Sequence, residues 1–126
     1  MAKIVLIIAA IIEFVFRGLP AFFACESIAR VFGLEYIPGA LVYIHPFGGL
    51  MLVFGVLFFV ASKDPAKYKL IFDVGILRYA LGIGSYIVTL VTLGSIATFW
   101  WVHLVVDVVL LVLFVAARPK AAVASA

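Results

Sequence analysis

The sequence predicts an all-α integral membrane protein, a single bundle of four transmembrane helices with a short interfacial helix between the first two. Three observations predict it. Hydrophobic residues make up 68% of the 126 and charged residues 12%, and the mean hydropathy of +1.38 lies far above that of soluble domains. The apolar residues fall into four runs, each near the ~20 residues that a helix rising ~1.5 Å per residue needs to cross a ~30 Å hydrocarbon layer. The polar stretches between the runs are short, so no second domain or soluble catalytic lobe fits among them.

The first span covers residues 4–22, with a bend expected near Gly18 and Pro20. Its start resembles a signal peptide, but Glu13 and Arg17 interrupt the apolar run and no small-residue cleavage site follows, so it is kept as a span. Glu13 and Arg17 are four residues apart with the acid first, the favourable order on a helix. The segment ACESIARVFG places Cys25, Ile28, Ala29 and Phe32 opposite Glu26, Ser27 and Arg30, the pattern of a short helix lying in the interface, and Gly33 is a natural stop. Cys25 is the single cysteine, so no internal disulfide forms.

The second span, residues 41–61, carries His45 and Pro46 in what is expected to be its first turn, where proline does least harm. Gly48 and Gly55 are seven apart and share a face on which another helix can come close. In the loop SKDPAKYK, Asp64 before Pro65 reads as an N-cap that starts the third span, residues 69–93. That span holds Asp73, Arg78 and the small pair Ala80 and Gly84. The fourth, residues 98–117, reads TFWWVHLVVDVVLLVLFVAA and stops against Arg118, Pro119 and Lys120. Trp100 and Trp101 mark an interface, as Tyr36 and Tyr43 do on the same side.

Orientation follows from the cations. Lys3, Lys63, Lys67, Lys69, Arg118 and Lys120 fall on one side of a four-span chain, whereas Arg30 falls on the other with Glu26 and Glu35. Both termini and the SKDPAKYK loop are therefore expected in the cytoplasm of a bacterial-type inner membrane. The net charge of +3 is accounted for by this topology, and no nucleic-acid signal is present. The AAVASA tail is expected to fray.

The candidate site is a set of charges inside the spans. Counting ~1.5 Å per residue from the cytoplasmic end puts Glu13, Arg78 and Asp107 at ~14 Å, near the midplane, with Arg17, His103 and His45 in a layer above. Glu13 and Asp107 balance Arg17 and Arg78, and removing one acid would strand a guanidinium that cannot lose its proton. His103, on the same face as Asp107, is the candidate proton carrier or ligand donor. His45 and Asp73 are secondary candidates, the first as an interfacial residue and the second as a partner for Lys69. The competing structural reading is that the ion pairs do no more than fix helix register. No metal site and no cofactor are expected, since the arginines repel a cation; a haem held by His45 and His103, or a bound quinone, is the minor alternative. Nothing resembles a phosphate loop, a zinc-peptidase motif or a nucleophile with its base, so no catalytic residue is assigned and the chain is not expected to be an enzyme by itself.

The start MAKIVLIIAAIIEFVF resembles the first helix of the small multidrug resistance transporters, and that resemblance implies proton exchange at Glu13. Arg17 and the later helices depart from that family's pattern. In layout the chain is similar to the DoxX-like and BphX-like four-helix membrane proteins, through the first helix broken at Gly18 and Pro20, the DPAKYK inner loop and Arg78 in the third span. That likeness implies an accessory role beside redox enzymes. The leading expectation is an accessory or anchor subunit of a larger membrane complex, or a homo-oligomer, that handles a proton or a quinone-like ligand. A small proton-coupled transporter working through Glu13 is the alternative. The expected partners are the lipid bilayer and other membrane subunits or further copies of the chain.

Overall fold

A computed structural model describes residues 1–119; Lys120 and the AAVASA tail, and the expectations placed on them, lie outside the described residues. Five helices and no strand are found among the described residues. They are α1 (Ala2–Phe23), α2 (Cys25–Val31), α3 (Leu41–Ala61, entered through a 3-10 turn at Pro38–Ala40), α4 (Lys69–Leu93) and α5 (Thr98–Ala117). By length and composition α1, α3, α4 and α5 can each cross a membrane, which is consistent with a multi-pass membrane protein. The last three coincide with the expected spans, and the first is longer by a few residues.

α1 is not one regular coil. An α-helical start, Ala2–Ile11, opens into a π-helix over Ile12–Gly18 and returns to α at Leu19–Phe23. The Leu19 amide reaches back five residues to the Phe14 carbonyl, the bond that defines the wide coil. Pro20, which has no amide hydrogen, stands in the first turn of the returning α segment, where that hydrogen is not needed. The bend expected near Gly18 and Pro20 is thus a change of helix type that begins earlier, at Ile12.

Glycines decide how closely α1 and α3 approach. A β-carbon on Gly48 would lie 2.6 Å from the Phe22 nitrogen, and one on Gly55 would lie 2.6 Å from the Phe14 β-carbon. Both positions touch α1, so the face shared by Gly48 and Gly55 is where the two helices meet. Pro46 lies further into α3 than expected, in its second turn. There the Val42 carbonyl loses its amide donor four residues on. Gly84 meets nothing within 4 Å and Ala80 is exposed, so that small pair is not used inside the chain.

The connections are short and locally capped. Gly33, with φ +63°, ends α2: its amide bonds the Arg30 carbonyl and the Leu34 amide bonds the Ala29 carbonyl, the two bonds of a Schellman motif. Gly94, with φ +73°, ends α4 in the same left-handed conformation. Asp64 caps a separate turn, its carboxylate accepting the Lys67 amide at 3.2 Å, and α4 starts only at Lys69, so the cap lies one turn earlier than expected.

α1 packs along α3, α4 packs along α5, and α1 joins the two pairs by also touching α5. α3 and α4 meet only slightly. Where the helices face inward, Leu6, Ala9, Phe58, Phe72, Tyr79, Leu110 and Phe114 are almost wholly enclosed. The Phe114 ring is the hub, 5.1 Å from Phe58, 5.3 Å from Tyr79 and 5.5 Å from Phe72, and it lies over Gly75, where any side chain would collide with it. The outer faces are as apolar as the inside, with Phe16, Leu70, Leu81, Val91 and Val112 exposed. An apolar exterior of this extent needs an apolar solvent or partner.

Candidate functional site

Next to the aromatic core, α1, α4 and α5 bring four charged side chains together. Glu13 and Arg17 come from the π segment of α1, Arg78 from α4 and Asp107 from α5. Arg17 Nη1 donates to Glu13 Oε1 at 2.9 Å, and Arg17 Nη2 lies 2.6 Å from Asp107 Oδ1. Arg78 closes the circuit from the other side, with Nη2 3.4 Å from Glu13 Oε2 and Nη1 3.6 Å from Asp107 Oδ2. The result is a closed ring in which acid and base alternate, two of each. Its formal charge is zero.

Burial makes that balance necessary. Glu13 is fully enclosed, Asp107 is 1% exposed and Arg17 5%, so any unmatched charge here would lack both water and a counterion. The ring is uneven, however. Both Arg17 edges are short, whereas every Arg78 contact is 3.3 Å or longer, including one to the Met51 sulfur on α3 at 3.3 Å. The Arg78 guanidinium also lies 5.2 Å from the centre of the Tyr79 ring, a cation–π distance. Gly82 makes the Arg78 edge possible: a β-carbon there would collide with Asp107 Oδ2 and stand 2.8 Å from Arg78 Nη1.

The histidines and Asp73 lie elsewhere. His103 was expected to pair with Asp107, but its Nδ1 is 3.0 Å from the Phe99 carbonyl one turn back, and its ring packs 4.4 Å from that of Phe99. The Asp107 carboxylate is turned to Arg17 and Arg78 instead, and the His103 ring leans back over the preceding turn. It serves the ring through its backbone, since Arg17 Nη2 donates to the His103 carbonyl at 3.4 Å. Asp73 pairs with Arg118 rather than Lys69, through Nε at 2.6 Å and Nη2 at 2.9 Å, and this forked bond ties the start of α4 to the end of α5. The carboxylate holds the exposed Arg118 guanidinium above its usual pKa. His45 is exposed on α3, 6.0 Å from the Phe22 ring and away from the charged ring.

His45 instead belongs to a cleft of about 370 Å³ where α1 ends and α3 begins. Phe22, Phe23, Cys25, Glu26 and Tyr36 share its walls. The Cys25 thiol is committed to the Ala21 carbonyl at 2.6 Å, and burial raises its pKa, so it is not a poised nucleophile. Among the described residues no three His, Cys, Asp or Glu side chains come close enough to hold a metal ion.

The four ring members were legible in the sequence from their depth along the spans, whereas Gly82, Met51 and Tyr79 were not expected as their neighbours. The signal for Gly82 was a glycine one turn from Arg78 on the same face. No protein-family model, curated protein or solved structure matches the chain.

Proposed function

We propose that the protein is a small multi-pass subunit of a bacterial-type inner membrane, built to anchor or complete a larger assembly of membrane subunits or of its own copies. The observation that carries the proposal is the closed ring of Glu13, Arg17, Asp107 and Arg78. Each acid answers two bases, so the ring has no charge left over to attract an ion, and its natural role is to fix α1, α4 and α5 in one arrangement. The broad apolar exterior then faces lipid and neighbouring subunits. Both termini and the SKDPAKYK loop face the cytoplasm, in accord with Lys3, Lys63, Lys67, Lys69 and Arg118 at that end of the bundle. What supports an accessory role beside redox enzymes is the resemblance of the sequence, in layout alone, to DoxX-like and BphX-like proteins.

Native mass measurement on protein released from its own membrane in mild detergent tests this reading. A stoichiometric complex or a defined homo-oligomer is expected. A lone 13.7 kDa chain that releases protons on addition of an organic cation, and ceases to do so as Glu13→Gln, would overturn it in favour of proton-coupled transport through Glu13.

A further inference from the structure

Four buried polar atoms at the charged ring complete no hydrogen bond within the described residues: Arg78 Nε, the Tyr79 hydroxyl and both carboxylate oxygens of Asp107. The Asp107 oxygens are ion-paired with Arg17 and Arg78, but neither contact is both short and aligned enough to be a hydrogen bond. Tyr79 is fully enclosed, and its hydroxyl faces the charged ring, with Glu13 and Arg78 as its main charged neighbours. Buried donors and acceptors are almost always paired, with protein or with ordered water, because an unpaired one costs its full desolvation.

The unpaired groups are complementary in kind. Arg78 Nε and Tyr79 offer two donors, and the Asp107 oxygens are two acceptors. A water molecule accepts two hydrogen bonds and donates two. An ion does not match, because the ring is already neutral: a cation would meet the arginines and an anion the acids. A larger ligand does not match either, since Glu13 and Tyr79 are fully enclosed and Asp107 nearly so. The Arg78 corner is where water can enter. Charge-assisted N–H···O bonds run to ~2.7–2.9 Å, whereas the Arg78 contacts are 3.3 to 3.6 Å, so its guanidinium is not drawn tight. The Arg78 side chain is also 11% exposed, against 3% or less for the other three, and it reaches Met51 of α3 across a seam where α3 and α4 meet only slightly.

From this match we infer that the charged ring holds an internal water at its Arg78 corner, which accepts from Arg78 Nε and the Tyr79 hydroxyl and donates to Asp107, so that Tyr79 belongs to the ring through the water. The water would be held whatever the protein assembles with, so its test is independent of the subunit reading.

Water-edited solid-state NMR tests it, on the full chain in phosphatidylcholine bilayers with arginine, tyrosine and leucine labelled. The readout is the rate at which magnetisation passes from water protons to Arg78 Nε and to Tyr79 Cζ. Both are expected to fill severalfold faster than the side chain of Leu6, which is enclosed in the apolar core. In Tyr79→Phe, which removes one partner of the water, transfer to Arg78 Nε should slow and the thermal midpoint should fall. Transfer to both wild-type sites as slow as to Leu6 would overturn the inference, whether the ring is dry or Tyr79 donates directly to Glu13. A midpoint raised in Tyr79→Phe would also overturn it, since deleting an unpartnered buried hydroxyl stabilises a protein. The wild-type rates decide the question even where the variant fails to fold.

Discussion

Glu13 accepts from one arginine on its own helix and faces a second brought by α4, while Asp107 touches the same two from the opposite side. No member of this ring can be neutralised without leaving an uncompensated charge in an enclosed space, a loss of about 3–5 kcal/mol for a buried pair. Asp107→Asn is therefore expected to destabilise the protein by about that amount, with little response to salt, since the site is shielded from solvent. Asp73→Asn is the contrast. The Asp73 and Arg118 side chains are about 40% exposed, so its smaller fall in thermal midpoint should shrink toward zero as ionic strength approaches ~1 M. Both comparisons are read from thermal unfolding in the same detergent at low and high salt. At this scale the sequence showed which charges would meet, because depth along a span follows from counting residues. It did not show that His103 would turn to Phe99, since a four-residue spacing gives the face of a helix but not the direction in which the side chain leans.

The helices are held close by positions that have no side chain. Gly48 and Gly55 meet backbone or near-backbone atoms of α1, which cannot yield without parting the two helices, so alanine at either is expected to cost about 1–3 kcal/mol. Gly82→Ala should have a comparable effect by another route, displacing Arg78 from Asp107 on the weakest edge of the ring. Gly84→Ala faces open space in the same helix and should be neutral or stabilise by up to about 1 kcal/mol through helix propensity. Equilibrium unfolding of the four variants checks the order. The Gly48 and Gly55 face was legible because small residues at helical spacing mark close approach. Ala80 and Gly84 show the same pattern and touch nothing within the chain, so spacing alone does not say which small stripe is used. The π segment of α1 left no comparable mark in the sequence: Gly18 and Pro20 signal a bend, and Glu13 with Arg17 an i, i+4 pair, but neither signal specifies a wider coil.

Across the whole molecule, the polarity is inverted relative to a protein surrounded by water: charge is inside, and exposed phenylalanine, leucine and valine cover the helices. That composition made the all-helical class and the four long apolar helices legible before any coordinate, since a ~30 Å apolar layer sets the length a helix needs to cross it. The two ends also differ, one carrying Lys63, Lys67 and Lys69, the other the paired Glu26 and Arg30 with Glu35. Single cysteines at exposed Lys67 and Ser27, each placed in a Cys25→Ser background, test the orientation. A membrane-impermeant maleimide added to intact cells is expected to label Ser27→Cys and to leave Lys67→Cys unlabelled until the membrane is opened. The fold itself rests on the ring, and a double-mutant cycle over Glu13→Gln and Arg78→Gln measures it most directly. In bicelles, each single change should lose about 3–5 kcal/mol, while the double change, again neutral, should lose clearly less than the sum, with a coupling of about 2–3 kcal/mol. Two losses that simply add would mean that Glu13 and Arg78 do not hold α1 and α4 together.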